Sequence, residues 1–348
     1  MKTRVTENNN KALLILNPTS GVPPVNFIVS KDLDRRKSEI STCKSLTKED
    51  TGSLIKQNFD KYAVFVAAGG DGTVHTVAAE LVSSDKILGV LPLGSGNGFA
   101  KEFGFKLNLR SLLSDINRAE SIDIDVIEIN DKLCLNVAGI GLDSFVAHSF
   151  NNLKLRGFLP YVWLTFKTFL LLRPFHVTIK CEGEVIVSEK LFVLTIANTR
   201  QFGNNAFIAP EARPNDGIID IVLIKPFPKI LGSLFIIRLF TKNINKSKYV
   251  RHIQTDKEIV IETAETRFHI DGEPLDISGK VVVRIKKKVL KVLKTAGNKF
   301  ICNLPPIPEP SKQGALETSD LTSNPCQASV GADPNKCLIT FNPSPSPK

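Results

Sequence analysis

The sequence predicts an α/β protein whose N-terminal part is built around a parallel sheet and whose C-terminal part is mainly antiparallel β. Two observations predict this arrangement. In the first 125 residues, uninterrupted apolar runs, typical of strands buried on both faces, alternate with glycine-rich turns and helical patterns. From about residue 126, short β-like runs separated by turn residues follow one another.

The N-terminal elements follow in order. The apolar runs Lys11–Leu16, Tyr62–Ala68 and Ile87–Leu91 are predicted strands, and Thr73–Leu81 between the last two has a helical pattern. A strand, a glycine turn, a helix and a further strand form the repeating unit of a parallel sheet.

The C-terminal elements are predicted as a series of strands. Helical insertions are expected near 144–172 and 226–244. The predicted strands are Val126–Ile129, Lys132–Val137, His176–Cys181, Glu184–Glu189, Leu191–Asn198, Gly217–Ile224, Ile259–Thr263, Arg267–Ile270 and Val281–Ile285.

The chain is therefore expected to divide into two domains and a tail. Residues 1–125, completed by 286–300, form the α/β domain, and residues 126–285 form the β domain. Residues 301–348 hold nine of the twenty prolines, so a flexible tail is expected there.

The composition excludes several classes of protein. With 348 residues, 42% apolar and 23% charged, the chain is not disordered, collagen-like or a coiled coil. Six cysteines without a C-x-x-C pair argue against a zinc site and indicate a reducing cytosol. The first ten residues are polar, and no apolar stretch is long enough for a membrane span, so a cytoplasmic protein is expected. The net charge of +10 indicates anionic partners.

A glycine-rich loop follows the second predicted strand and carries the strongest functional signal. It reads Ala-Ala-Gly-Gly-Asp-Gly-Thr over residues 67–73 and opens a helix. Its glycines permit a close backbone approach, and the helix N-terminus offers free N–H groups to an anion. Asp71 is placed to bind a metal-bridged phosphate or to accept a proton from an alcohol. A plain strand-to-helix turn capped by Asp71 is the alternative.

Two further loops follow predicted strands. Pro92–Ala100 contains Gly94, Gly96 and Gly98, and Asn17–Gly21 has a turn sequence. Loops at the carboxyl ends of parallel strands face one crevice, where ligands bind. The chain contains no G-x-x-x-x-G-K-[ST], and neither glycine loop fits G-x-G-x-x-G, which argues against a P-loop protein and a Rossmann dehydrogenase.

Three acidic positions lie downstream. Asp123 stands where the two domains would meet, and the other two are the pairs Asp216-Gly217 and Asp271-Gly272. Asp-Gly pairs usually form hairpin turns. An acidic turn that faces an interdomain cleft would instead suit a metal or a general base.

Taken in order, these motifs resemble the lipid kinases related to bacterial diacylglycerol kinases, with sphingosine and ceramide kinases as relatives. The resemblance covers residues 11–298. The series comprises Asn17–Gly21, Gly69–Thr73, Pro92–Ala100, Asn136–Asp143, Ala212–Asp220 and Asp271–Pro274. It implies a Rossmann-like nucleotide-binding domain, a C-terminal antiparallel β-sandwich domain that holds the lipid substrate, and ATP in the cleft between them.

The resemblance also implies roles for individual residues. Asp71 and Glu273 would be catalytic, Glu273 as the general base. Asp216 and Asp123 would belong to a Mg²⁺ site, to which Arg213 and Ile218 contribute backbone carbonyls. The implied nucleotide contacts are Asn17, Thr47, Gly69, Gly70, Asp71, Gly72, Thr73 and Ser95.

The substrate stays open at this point. Diacylglycerol is the first expectation, and a sphingosine- or ceramide-type kinase follows. An NAD kinase, which shares the glycine loop, and a non-catalytic nucleotide- or lipid-binding protein are further alternatives. Thr76 and Gly98 replace residues common in relatives and support only the last of these.

The expected partners are ATP and a lipid at a membrane surface, with a homodimer left open and no nucleic acid, since the chain has no recognisable nucleic-acid module. Phe158–Phe175 is either a core helix or an apolar wall for acyl chains. Basic residues nearby (Lys154, Arg156, Lys167 and Arg173) and the cluster Lys242–Arg251 are either solvated faces or contacts for anionic headgroups.

Overall fold

The computed structural model describes residues 11–20, 40–142, 144–145, 167–296 and 340–341. Over these residues the strands form two sheets. The first comprises β1 (Ala12–Leu16), β2 (Ser41–Lys44), β3 (Val64–Gly69), β4 (Ile87–Pro92), β5 (Ser121–Ile129), β6 (Lys132–Cys134), β8 (Phe175–Cys181), β9 (Glu184–Leu191), β13 (Ile259–Thr263) and β16 (Lys280–Leu293). The second comprises β7 (Val137–Gly141), β10 (Val193–Ala197), β11 (Ile219–Ile224), β12 (Val250–Thr255), β14 (Arg267–Ile270), β15 (Glu273–Asp276) and β17 (Thr340–Phe341).

The helices lie in the connections between strands. They are α1 (Lys48–Asn58), α2 (Asp71–Leu81), α3 (Gly98–Glu102), α4 (Leu109–Arg118) and α5 (Gly232–Phe240). Two short 3-10 turns, Lys229–Leu231 and Ile244–Lys246, flank α5.

The N-terminal part is a parallel sheet in the order β2-β1-β3-β4. Every residue of β1 and β3 is buried, as their unbroken apolar runs require. The three apolar runs and the helix between them were correctly predicted as elements. β2 was not predicted, because its sequence, Ser-Thr-Cys-Lys, has no apolar run and its residues alternate between partly buried and exposed.

β16 connects the parallel part to the antiparallel part. Its last residues pair in parallel with β4, its first residues pair antiparallel with β13, and β5 pairs antiparallel with both halves. The register shifts between Lys286 and Leu290, where Lys288 has a φ of 54°. One sheet therefore runs through both parts, and the division into domains at residue 125, with a return at 286–300, stays a prediction.

The C-terminal part is a β-sandwich, as predicted. Its core lies between the antiparallel strands of the first sheet and strands β7, β10, β11, β12 and β14 of the second sheet. Ile127 and Ile179 from one side and Leu194 and Phe268 from the other are almost completely buried there. The alternation of buried and partly buried residues along β8 matches a strand with one face in this core.

Several predicted segments differ from the structure. The run Lys132–Val137 divides into β6 and β7, and the last predicted strand extends to Leu293. The expected insertion near 226–244 contains α5, whereas the expected insertion near 144–172 and the segment Phe158–Phe175 lie largely outside the described residues, as does Asp143. Within the expected tail, Thr340–Phe341 pairs with β12. No helix in the described part of the chain is long and apolar enough to cross a bilayer.

Candidate active site

The two glycine loops contact each other at the carboxyl ends of β3 and β4. A Cβ atom placed on Gly94 would stand 2.6 Å from the Cα of Gly70, and the amide of Leu93 donates to the carbonyl of Gly69 at 2.9 Å. A Cβ on Gly69 would overlap the side chain of Thr73 at 2.3 Å. Side chains are thus excluded at Gly69 and Gly94, so the backbones of both loops meet directly.

Asp71 joins the two loops through its carboxylate. Its oxygens accept hydrogen bonds from the amides of Gly98 (3.1 Å) and Phe99 (3.2 Å), at the start of α3. Burial raises the pKa of Asp71, these amide bonds oppose the rise, and the charge of Asp271 adds to it. Both oxygens already accept hydrogen bonds, which favours a positioning role for Asp71; its catalytic role stays a prediction.

The loop that follows β1 contacts the first glycine loop. The side-chain amide of Asn17 donates to the hydroxyl of Thr73 at 3.2 Å, and the backbone amide of Asn17 donates to the carbonyl of Ala68. Ser95 is exposed on the second glycine loop, next to Gly94 and Gly96. A Cβ on Gly96 would stand 3.2 Å from Oδ2 of Asp71, so Ser95 is carried close to the α2 N-terminus.

Glu273, from the C-terminal part of the chain, lies next to the first glycine loop. It begins β15, and a Cβ on Gly72 would stand 3.0 Å from Oε1 of Glu273. Its other oxygen accepts an ion-pair hydrogen bond of 2.7 Å from Nζ of Lys48. Lys48 follows Thr47, whose hydroxyl caps α1 by accepting from the amide of Asp50. Glu273 and Thr47, both predicted site residues, are therefore linked through Lys48.

Asp271 holds the Glu273 turn in place, a role that the sequence did not reveal. Residues 271 and 272 form a two-residue hairpin loop with φ values of 52° and 83°, as expected for Asp-Gly. The Asp271 carboxylate also accepts from three consecutive backbone amides, at 2.9, 2.7 and 3.3 Å, those of residues 135, 136 and 137. The only sequence signal was the Asp-Gly pair, which also describes an ordinary hairpin.

His75 connects α2 to the same turn. Its Nε2 lies 2.9 Å from the carbonyl oxygen of Leu133 and 3.8 Å from Oδ2 of Asp271. The helix that starts at the first glycine loop and the turn that carries Glu273 are therefore fixed to one another through buried or partly buried polar groups. This arrangement sets the position of Glu273 relative to Gly72.

A second acidic group forms around the loop that contains Asp216. Burial raises the pKa of Asp216 to about 7, the negative charges of Asp220 and Asp125 contribute to the rise, and Arg213 opposes it. Asp125 is completely buried and accepts from the amides of Gly217 (2.6 Å) and Lys288 (2.7 Å). Asp220 is also buried, 2.7 Å from Nε2 of His252.

Asp123 does not lie in this group. Its carboxylate pairs with Nζ of Lys291 at 3.0 Å on the neighbouring strand and is about half exposed. Asp125, two residues further along β5, takes the place expected for Asp123. The loop at 213–217 contacts Asp125, whose amide donates to the carbonyl of Pro214 and whose carboxylate accepts from the amide of Gly217, whereas Asp123 is about half exposed.

The loop at 213–218 fits a hard divalent cation. Burial and the nearby charges of Asp220 and Asp125 raise the pKa of Asp216, and the opposing charge of Arg213 does not offset them, so a cation at this carboxylate would be favoured electrostatically. The Asp216 carboxylate and the carbonyls of Arg213 and Ile218 would supply the oxygen ligands that Mg²⁺ prefers. Among the described residues, no three or more His, Cys, Asp or Glu side chains are arranged to hold a metal, so a cation there would depend on backbone oxygens.

Together these contacts define a site that can bind an anion beside a carboxylate. Helix α2 begins at Asp71, directly after Gly70 of the first glycine loop, and the free amides of a helix N-terminus favour phosphate groups. Glu273 faces the same loop with an oxygen available to accept a proton. The geometry is therefore suited to phosphoryl transfer.

Comparison with known proteins identifies the family of the chain. The diacylglycerol kinase catalytic domain family matches residues 11–129, and the YegS C-terminal NAD kinase beta sandwich-like domain family matches residues 136–294. A protein of Pseudomonas aeruginosa named "Probable lipid kinase YegS-like" is 31% identical over 250 residues, which are 69% of this chain and 79% of that protein. The diacylglycerol kinase of Bacillus subtilis is 28% identical over 225 residues, which are 62% of this chain and 74% of that protein.

A further relative and a solved structure are also similar to this chain. A Pseudomonas putida protein with the same YegS-like name is 34% identical over 177 residues, and the chain spans only 59% of that relative. The crystal structure of a diacylglycerol kinase from Bacillus anthracis superposes with a TM-score of 0.62, covering 84% of this chain and 99% of that one at 19% identity. At that identity the superposition shows the shared fold alone.

Proposed function

This chain belongs to the lipid kinase family that combines a diacylglycerol kinase catalytic domain with a YegS-type C-terminal domain, and we propose that it transfers the γ-phosphate of ATP to a lipid hydroxyl. The observation that carries the proposal is the approach of Glu273 to Gly72, because it brings a proton acceptor to the anion-binding loop. These two residues are 201 positions apart in the sequence.

The proposed reaction divides the work among the described residues. The glycine loops and the α2 N-terminus bind the phosphates of ATP, with Asn17, Thr73, Thr47 and Ser95 as nearby polar contacts. The lipid oxygen attacks the γ-phosphorus, the bond between that phosphorus and the β–γ bridging oxygen breaks, and ADP leaves. Phosphoryl transfer depends mainly on such positioning and on charge neutralisation.

Glu273 is the proposed general base. An alcohol has a very high pKa, so its proton is lost late, as its oxygen bonds to phosphorus, and a carboxylate suffices to accept it. Asp71 fixes the second glycine loop against the first, and Asp271 fixes the turn that carries Glu273. Mg²⁺, held by Asp216 with the carbonyls of Arg213 and Ile218, would neutralise phosphate charge.

Diacylglycerol is the proposed acceptor, with phosphatidic acid as the product. The names of the Bacillus subtilis relative and of the Bacillus anthracis structure support this choice. A sphingoid base or ceramide is the second candidate, because Gly94-Ser-Gly-Asn97 resembles the sphingosine and ceramide kinases more closely. Both acceptors are membrane lipids, so the enzyme is proposed to work in the cytoplasm at a membrane surface.

The test is a radiolabelled-ATP assay of the purified chain with Mg²⁺ and mixed micelles. The acceptors are diacylglycerol, monoacylglycerol, sphingosine, dihydrosphingosine and ceramide, with NAD as a control. We expect labelled phosphatidic acid, and Glu273→Gln should lower turnover on the order of 10²- to 10⁴-fold. Glu184→Gln, at an exposed position on β9, is the matched control and should leave turnover unchanged. Labelling of NAD alone would contradict the proposal.

A further inference from the structure

Exposed apolar side chains are concentrated on one part of the described surface. Nine large apolar residues are exposed among the described residues, and six of them lie in two short segments. We call these six the apolar platform: Leu170, Leu171, Ile230, Leu234, Ile237 and Phe240. Single exposed apolar residues are ordinary, whereas a concentration of this kind marks an interaction surface.

The two segments of the apolar platform belong to one surface. Nζ of Lys229 donates to the carbonyl oxygens of Phe169 and of Leu172, the latter at 2.9 Å. A Cβ on Gly232 would stand 2.6 Å from the Phe169 ring, so the start of α5 lies directly against that segment. The exposed residues that follow Phe169 and those of α5 are therefore neighbours.

Helix α5 is apolar on both sides. Phe235 faces inward and stacks on Phe227 with ring centroids 4.3 Å apart. Leu234 and Ile237, three residues apart on the outer face, are 42% and 57% exposed. A helix that is apolar all round is normally covered on both sides, by protein or by lipid.

The surroundings of the apolar platform are strongly basic. Residues 225–251 contain seven Lys or Arg and no Asp or Glu. Lys225 and Arg251 pair with Glu189, whereas Lys242, Lys246 and Lys248 are exposed around the end of α5. An apolar centre with a basic rim complements the acyl chains and headgroups of an anionic membrane.

We propose that the apolar platform and its basic rim dock the protein on an anionic lipid bilayer. This inference rests on the proposed function, because a membrane-bound acceptor requires access from the bilayer. The contacts also connect the surface to the site: the amide of Phe207 donates to the carbonyl of Leu239, and a Cβ on Gly98 would stand 3.3 Å from the carbonyl oxygen of Phe202. The 202–207 segment thus runs from α5 to the second glycine loop.

The test is sedimentation of the full chain with vesicles of phosphatidylcholine alone or with about one-third phosphatidylglycerol. The unmodified protein should bind the anionic vesicles more strongly. Ile230→Glu with Ile237→Glu should weaken that binding on the order of tenfold or more. Leu107→Glu with Val185→Glu, which changes two exposed apolar residues elsewhere (50% and 56% exposed), is the control and should bind as the unmodified protein does.

The basic rim has its own pair of variants. Lys246→Glu with Lys248→Glu should abolish the preference for anionic vesicles, whereas Lys44→Glu with Lys106→Glu should retain it. Binding that depends on the lysines but not on Ile230 and Ile237, and that double-stranded DNA competes away, would replace the membrane with a general polyanion. A dimer that dissociates in the isoleucine variant without a change in vesicle binding would make the surface a subunit interface. Either result overturns the proposal.

A parallel assay separates this inference from the proposed function. Turnover of a short-chain, water-soluble diacylglycerol needs no bilayer, so the isoleucine variant should retain it while losing vesicle binding. Retained vesicle binding with no phosphorylated lipid would overturn the proposed function and leave the docking surface supported. Unchanged vesicle binding in the isoleucine variant, with turnover intact, would overturn the docking surface alone.

Discussion

Lys48 Nζ lies 2.7 Å from Oε2 of Glu273 and so connects the N-terminus of α1 to the start of β15 across 225 residues. A lysine in the first turn of a helix opposes the helix dipole, so this position is unfavourable unless an acid compensates for it. Both side chains are exposed by half or more, and such pairs contribute little to stability. The pair is therefore better suited to orienting Glu273 than to holding the fold together.

Lys48→Met should affect turnover without affecting stability. We expect kcat to fall up to about fivefold, the most that an exposed ion pair worth up to about 1 kcal/mol supplies. The melting temperature should stay unchanged. Steady-state kinetics with diacylglycerol are the measurement, and Lys44→Met on the neighbouring strand β2 is the control. If kcat is the same in both variants, Lys48 has no part in positioning Glu273.

Asp71→Asn should loosen the contact between the glycine loops. An asparagine offers one acceptor oxygen where the carboxylate offers two, so either Gly98 or Phe99 loses its partner. We expect a loss of about 1–3 kcal/mol in the free energy of unfolding and a weaker affinity for ATP. Urea unfolding and nucleotide titration measure the two effects. Full stability together with lost turnover would instead support the catalytic role predicted for Asp71.

Asp271→Asn and Asp271→Ala should differ in a defined order. Alanine leaves the amides of residues 135–137 without their acceptor, and it adopts the left-handed φ of 52° less readily than asparagine does. We expect alanine to cost about 2–4 kcal/mol of unfolding free energy and asparagine roughly half of that. Chemical denaturation gives both values. Equal losses would mean that the acceptor oxygen kept by asparagine does not stabilise the turn.

Asp216 should make the metal-free protein less stable at alkaline pH. Its pKa is raised from an ordinary value of 3.8 to about 7, so the folded state binds more protons than the unfolded state between these values. The contribution of Asp216 to stability therefore falls as the pH rises from about 4 to about 7. In EDTA, Asp216→Asn should flatten the fall in melting temperature between pH 5.5 and pH 8, whereas Asp60→Asn, an exposed control, should not.

Magnesium provides a second readout at the same residue. Protons and Mg²⁺ would compete for the Asp216 carboxylate, so added Mg²⁺ should raise the melting temperature more at pH 8 than at pH 5.5. Asp216→Asn should remove that effect. A pH-independent stabilisation that survives the substitution would place the magnesium elsewhere.

The elements of the fold followed from local patterns, whereas several contacts of the site did not. β1 and β3 are fully buried, so their composition alone marks them as strands. β2 is polar, lies at the edge of the first sheet as far as the described residues go, pairing with β1, and has no such signature. The glycine loops were recognisable because the structure leaves no room for a side chain at positions 69 and 94, so both positions are glycine in the sequence.

Asp125 and Asp123 show where a pattern becomes insufficient. Two aspartates at i and i+2 on one strand face the same side, and only the covering loop at 213–217 distinguishes them. Lys48 carries no local pattern at all, since its partner lies 225 residues away. Such pairings depend on tertiary packing. A single sequence therefore indicates which residue types take part, but not which individual aspartate or lysine makes the contact.

Gly98→Asp tests whether aspartate, the residue that the resemblance to bacterial diacylglycerol kinases implies at this position, would improve this protein. A Cβ at Gly98 would stand 3.3 Å from the carbonyl oxygen of Phe202 and 3.4 Å from the Cα of Gly203. The new carboxylate would then be forced against that carbonyl. It would also lie beside the Asp71 carboxylate, which accepts a hydrogen bond from the amide of residue 98. We expect lower stability, by about 1–3 kcal/mol, and lower turnover. Gly98→Ala, which adds the Cβ without the charge, separates the steric from the electrostatic cost; higher turnover in Gly98→Asp would show that the 202–203 backbone moves aside and that glycine limits the enzyme.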